Sequence, residues 1–431
     1  MLDKNSIRSL REKHLSPSLS LSYAEPLHII RGGGQYLYEA NGKQYLDAVN
    51  NIQHVGHCHP KVVEAAHSQY KRLNTNTRYL DEPIVNYAKA LTDKLPPGLD
   101  VCFFTNSGSE ANDLALRIAR HFTQRKETIV LDGAYHGNLS SLIEISPYKQ
   151  GGAGGEGACN FVNTISMPDS YRGKYRGEKS TIGYVQEVVE AIEKIHHKNK
   201  RVSAFITEAL MGCGGQLVLP EGFLKQSFEL VRNAGGLCIS DEVQIGFGRM
   251  GNHFWGFQTE DVIPDIVTMG KSMGNGHPLS AVVTTKKIAD NFNNGMEYFN
   301  SFGGNPVSCA VGQAVLDVIE EENLQDNALD VGTYLLDQLK VLKSKHEIIG
   351  DVRGRGLFIG VELMRDLESL TPATEEANTV VNQMKDSGIL ISSDGPDHNV
   401  LKIKPPIIFT RENADTLLVN LVAIINELSK D

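Results

Sequence analysis

The sequence predicts an α/β fold built from a large, mostly parallel sheet and a smaller α+β unit, and three observations carry that prediction. Short apolar runs alternate with helical patterns through the middle of the chain, as parallel strands joined by crossover helices do. The C-terminal third changes to long helices separated by a few strand-like runs. The N-terminal segment carries a hairpin signal instead of a crossover.

Taken in order, Val101–Thr105 is an apolar run, and from Ser109 onward Ala111, Leu114, Ala115, Ile118 and Ala119 recur on one helical face. Thr128–Leu131, Ala204–Thr207, Leu237–Ser240 and Asp265–Thr268 read as further strands, with helices at 184–195 and 222–234 between them. Beyond these, 310–321, 331–343 and 414–428 read as helices, and 350–362 and 399–403 as strands. Near the start, Gln35–Tyr38 and Gln44–Leu46 flank Asn41-Gly42, a favoured tight-turn pair. That hairpin is expected to pack with the C-terminal unit. The expected domains are therefore 1–50 as part of the small domain, 51–310 as the large domain and 311–431 as the C-terminal small domain. Gly151–Gly157 is expected to form a mobile loop.

The chain has 431 residues, 41% of them apolar, enough for two layered units with a sizeable core. A formal net charge of −10 disfavours nucleic acid, which needs a basic footprint, but leaves open a small anionic ligand held by a few local cations. The six cysteines include no CxxC pair, so reduced core thiols of a cytosolic protein are expected. The N-terminal stretch lacks the apolar region of a signal peptide, and no run approaches the ~20 apolar residues of a membrane span. A cytoplasmic protein without a membrane partner is expected. His57 and His59 flank Cys58, but no third ligand is in sight and no metal is expected.

Four segments carry chemistry. Ser107-Gly108-Ser109 joins a strand to a helix, where free N–H groups and the helix dipole favour a phosphate; the same serines serve as ordinary helix caps. Tyr135 follows the next strand and is placed to stack on a planar ring, or to sit half-buried at a strand end. Asp241 ends an apolar strand at the side of the sheet where such folds bind ligands. An acid there can keep a pyridine nitrogen protonated, with Val243 under the ring and Gln244 on its phenolic oxygen. Lys271, among glycines at another strand end, is placed to form a Schiff base. A lone lysine there is usually solvated; it is the combination of the four, each after a strand of one sheet, that points to chemistry.

These segments resemble the class III aminotransferase family, of pyridoxal 5′-phosphate (PLP) fold type I, the aspartate aminotransferase-like fold. SGSEAND, AYHG, SDEVQIGFGR, TMGKSMGNG and FGGNPVSCAVG stand at family-like positions, and thirty positions separate Asp241 from Lys271. Within the family the chain is most similar to the ethanolamine-phosphate and 5-phosphohydroxylysine phospho-lyases, on NNIQHVGHCHP, LNTNTRYL, AYHGNLSSLIEISPYK, TPATEEA and LKIKPP. The resemblance implies that Lys271 carries the cofactor, Asp241 pairs with its ring nitrogen, Tyr135 stacks, and Glu208 lies near the centre. Gly108, Ser109 and Ser301 from a neighbouring subunit would hold the cofactor phosphate, so a homodimer or higher oligomer with shared sites is implied.

One departure bears on the reaction. Aminotransferases of this class carry an arginine shortly before Pro405-Pro406 for the substrate carboxylate; here the matching residue is Lys402, with Lys404 nearby. A lysine is a point charge and lacks arginine's bidentate fork, which weakens the case for keto-acid transamination and suits a phosphate or phosphonate. Lys402 and Lys404 could equally be alternating surface residues on one strand face. Arg78 is a second candidate anion ligand, or a surface ion pair. The expected activity is elimination of a leaving group and ammonia from a phosphorylated amine. The alternatives are an ammonia-lyase acting on 2-amino-1-hydroxyethylphosphonate, and an ω-aminotransferase.

Overall fold

The computed structural model describes residues 2–428. Its centre is a seven-stranded sheet in the order Val101–Thr105, Ser280–Thr284, Ile266–Met269, Leu237–Asp241, Val202–Thr207, Glu127–Leu131, Val162–Ile165. All neighbours run parallel except around Ser280–Thr284, which is antiparallel to both its partners. Successive side chains leave opposite faces of a strand, and here both faces are covered. Ile239, Ile266 and Val282 join the helix Gly108–Thr123 through Ala111, Leu114, Ala115 and Ile118. Cys238, Val267 and Val283 join the core that includes Val188, Ile192, Phe223 and Phe228, from the helices Ser180–His197 and Phe223–Asn233. Burial on both faces is why these strands read as unbroken apolar runs. Ser280–Thr284, Val162–Ile165 and the helices Pro60–Arg72 and Glu82–Thr92 are additions to the sequence reading.

Two smaller sheets form beside it. Ile349–Arg355, Phe358–Asp366, Val400–Ile403 and Ser392–Asp394 make an antiparallel meander, with Gly360 opposite Lys402. Tyr36–Glu39 and Gln44–Asp47 form the hairpin, and Gly42 takes φ +87° at its turn, a conformation that glycine adopts without steric cost. Its second strand pairs in parallel with Ile389–Leu390, so the N-terminal hairpin shares a sheet with the C-terminal part of the chain. The helices Leu324–Lys343, Thr374–Asp386 and Arg411–Leu428 pack on this side.

Of the six cysteines, only Cys238 and Cys309 are buried, and Cys58 is exposed, which narrows the expectation of core thiols to two. Among the described residues no helix is long and apolar enough to cross a membrane.

Candidate active site

A cavity of about 370 Å³ opens at the carboxyl ends of the parallel strands, and its wall is built by the turns that follow them. Ser107, Gly108 and Ser109 reach it from the turn after Val101–Thr105, and Tyr135 from the turn after Glu127–Leu131. Glu208 follows Val202–Thr207, Asp241 ends its own strand with Val243 and Gln244 beyond it, and Lys271 follows Ile266–Met269. Strands adjacent in space but distant in sequence thus bring nine of the ten candidate cofactor residues to one wall. The tenth, Ser301, is exposed and does not line the cavity.

Asp241 is the most tightly held of these groups. Its Oδ2 accepts from Asn112 Nδ2 at 2.8 Å and lies 2.8 Å from His136 Nδ1, while its Oδ1 accepts from the Val243 amide at 3.1 Å. Thr268 Oγ1 in turn donates to Asn112 Oδ1 at 2.6 Å. An ionised carboxylate only accepts, so the proton of the 2.8 Å contact belongs to His136 Nδ1. His136 Nε2 is buried without a partner. Asn112 and His136 stand inside the SGSEAND and AYHG motifs, and nothing in those motifs marks them as the groups that hold Asp241. The contact crosses 129 residues for Asn112 and 105 for His136, and no local pattern shows it.

Ser107 does cap the helix Gly108–Thr123, its hydroxyl accepting from the Glu110 amide at 3.2 Å. Ser109 Oγ accepts from the Asn138 amide at 3.0 Å, which ties the two turns together. A Cβ on Gly108 would come within 2.9 Å of both methyls of Val243, so glycine is required for this close approach. Lys271 takes φ +40°, a region that costs a non-glycine residue about 1–3 kcal/mol and collects at functional sites. Burial lowers its pKa, and Lys402 adds to the effect. Glu208 is pushed up to about 7, by burial first and then by Asp241. Its Oε2 accepts from the Gly212 amide at 3.1 Å and its Oε1 has no partner.

These features fit PLP. A small-residue turn opening a helix of 16 residues supplies amides for a phosphate. An oriented carboxylate faces the same cavity as a partly buried, underpaired lysine, with a tyrosine ring and an isopropyl group on its walls. The unpartnered oxygen of Glu208 and nitrogen of His136 are what a polar ligand would satisfy.

The two candidate substrate residues are placed differently. Lys402 does not line the cavity; its Nζ lies 3.4 Å from Asp394 Oδ2, with both side chains mostly buried. Arg78 is exposed, 3.1 Å from Glu297 and over the Phe299 ring. The alternation argument for Lys402 and Lys404 fails in the structure. The strand ends at Ile403, and Lys404 is fully buried beyond it while Lys402 keeps some exposure.

The aminotransferase class-III family model matches residues 21–425. A Drosophila melanogaster protein named alanine–glyoxylate aminotransferase 2-like is 50% identical over 438 residues, covering 99% of this chain and 89% of the relative. Ethanolamine-phosphate phospho-lyase homolog 1 of Caenorhabditis elegans is 41% identical over 425 residues, covering 95% and 91%. The solved structure of a phospholyase from Arthrobacter in complex with phosphoethanolamine superposes with a TM-score of 0.93 at 41% identity, covering 97% of this chain and 99% of that one.

Proposed function

The chain belongs to the class III aminotransferase family, whose cofactor is PLP, and from that premise we propose that it is a lyase that releases phosphate and ammonia from phosphoethanolamine, leaving an aldehyde. The observation that carries this reading is Lys402 with Asp394 at 3.4 Å, at the position where a keto-acid transaminase of the family would present an arginine fork. A lysine is a point charge without the planar fork that grips a carboxylate on two oxygens, and phosphoethanolamine has no carboxylate. The likeness to the phospholyase solved with phosphoethanolamine supports the same choice.

When bound, PLP draws off the electron pair left as the carbon bearing nitrogen loses its proton. The chain's residues set up that step. Asp241, held at three points, lines the cavity and would pair with the ring nitrogen. Lys271, its pKa lowered by burial and by Lys402, is shifted toward the amine form that would hold the cofactor and then take the proton. Ser107, Gly108 and Ser109 anchor the cofactor phosphate, Tyr135 and Val243 enclose the ring, and Gln244 offers its amide. Loss of phosphate from the adjacent carbon, followed by water addition, gives acetaldehyde, ammonia and phosphate. Lys402 and Arg78 are the proposed contacts for the substrate anion, each of which would have to exchange its present carboxylate partner, Asp394 or Glu297, for the substrate.

We also propose a homodimer with shared sites. Ser301 is exposed, as are Phe302, Phe299 and Met296 of its own segment and Tyr79 and Leu80 of the segment that Arg78 brings against Phe299, apolar side chains that a second copy would cover. In the dimer Ser301 reaches the cavity of the second copy.

The test is ammonia and phosphate release from phosphoethanolamine with no keto acid present, run beside 2-amino-1-hydroxyethylphosphonate, from which hydroxide would leave. Sustained turnover with phosphate release is expected. A second reading, transamination, is favoured by the name of the 50% identical relative. Release that stops after one equivalent and resumes only with pyruvate or 2-oxoglutarate would establish it and overturn the lyase.

A further inference from the structure

Lys404 is a lysine with no exposure whose Nζ has one hydrogen-bond acceptor, Gln244 Oε1 at 3.0 Å, and otherwise sits 4.0 Å over the Phe358 ring. Among the described residues it makes no ion pair with a carboxylate, whereas Lys402 two residues earlier does. Burying an amine this way is costly, and its position is enforced by the backbone: the Lys404 amide donates to Ala48 O at 2.8 Å, and Pro405 and Pro406 follow. Lys404 does not line the cavity, but Gln244 does.

Gln244 Oε1 accepts a second bond, from Asn51 Nδ2 at 3.1 Å. Two donors from different elements converge on that one oxygen. The flipped amide would turn its NH2 toward Asn51 Nδ2 and toward Lys404 Nζ, opposing donor to donor at Asn51 and, where Lys404 carries its proton, at Lys404 as well. Burial and then Lys402 lower the Lys404 pKa, and an amine donates a hydrogen bond in either protonation state. Gln244 Nε2, by contrast, makes no hydrogen bond to the described residues and is not sealed from the cavity. It lies against Gly212, where a Cβ would fall 2.6 Å from it, so the amide has room only because that residue is glycine.

We infer that Lys404 is a positioning residue: together with Asn51 it locks the Gln244 side-chain amide with its N–H pair turned into the cofactor cavity, toward the cofactor's phenolic oxygen. This inference concerns the cofactor site and stands whether the chain proves to be a lyase or a transaminase.

The experiment is a cycle of variants read on the holoenzyme's visible absorbance. Lys404→Met, Gln244→Ala and the double variant are titrated with pH, and cofactor retention is measured by dialysis against a PLP scavenger. Lys404→Met is expected to shift the absorbance midpoint and to weaken retention about 3- to 10-fold, the scale of one hydrogen bond. Both effects should vanish in the Gln244→Ala background. An equal shift in that background would mean that Lys404 acts through its field on Lys271, and would overturn the inference; so would the absence of any shift in a folded Lys404→Met protein. If that variant does not fold, Asn51→Ala carries the same test, with a smaller shift in the same direction that must also vanish without Gln244.

Discussion

The cofactor cavity and the cluster around Glu362 both bury charge, and they handle it in opposite ways. Glu362, with no exposure, pairs with Arg353 at 2.5 Å and with Arg172. Arg353 also reaches Asp351 at 3.0 Å and Gly215 O at 2.7 Å, and Arg172 reaches Asp397 at 2.7 Å. Burial alone would lower both arginine pKa values, and Glu362 with its fellow carboxylates raises them overall. At the cavity the balance is left open: burial lowers Lys271 and raises Glu208 to about 7, and Glu208 keeps an oxygen without a partner. Neutralised charge holds the small antiparallel sheet against the Gly215 turn; underpaired charge keeps groups ready to exchange protons.

The largest expected effect breaks the reactive side of this contrast. Lys271→Ala should lower turnover by about 10²- to 10⁴-fold, the range of a lost acid–base group, and abolish the amine-linked visible band. A spectrum and rate like those of the parent protein would remove Lys271 from the chemistry. On the structural side, Glu362→Ala removes the buried carboxylate shared by Arg353 and Arg172, which keep only Asp351 and Asp397, and should destabilise the fold by about 3 kcal/mol. Denaturant melts check this, and the protein that remains folded should keep its kcat, since Glu362 does not line the cavity.

Glu208→Gln sharpens the comparison through pH. A carboxyl raised from 4.5 to about 7 in the folded protein binds more protons folded than unfolded between those values, so its contribution to stability is lost as pH rises through the window. The substitution should flatten the fall in melting temperature between about pH 5 and 8. A slope unchanged from the parent would show that Glu208 titrates normally. The smallest effect is expected from Lys402→Ala, which removes a cation balanced by Asp394 and should raise KM about 3- to 10-fold, with a fall in kcat as well, since charge grows on the phosphate as it departs; initial-rate kinetics over substrate concentration decide it.

How far the sequence reached follows from the range of the interactions. The turn at Ser107-Gly108, the strand ends at Asp241 and Lys271, and the Asn41-Gly42 hairpin are each decided within a few residues, by apolar period and turn chemistry, and each is found where its local pattern places it. The strand Ser280–Thr284 has the β-branched run Val282-Val283-Thr284, but nothing local says that it inserts antiparallel between Val101–Thr105 and Ile266–Met269. Asn112 and His136 stand inside SGSEAND and AYHG, yet their grip on Asp241 exists only because a helix, a turn and a strand end meet at one edge of the sheet.

By itself, then, the sequence determined the alternating α/β layer and the residue types that face a PLP-like ligand, because those depend on periodicity and short spacing. Tertiary structure alone decided that Lys402 is balanced by Asp394 while Lys404, two residues on, is sealed from water against Gln244 and Phe358. The strand ends between them at Ile403, the alternation of faces stops with it, and from there packing against the hairpin and the Gln244 turn sets which lysine meets solvent.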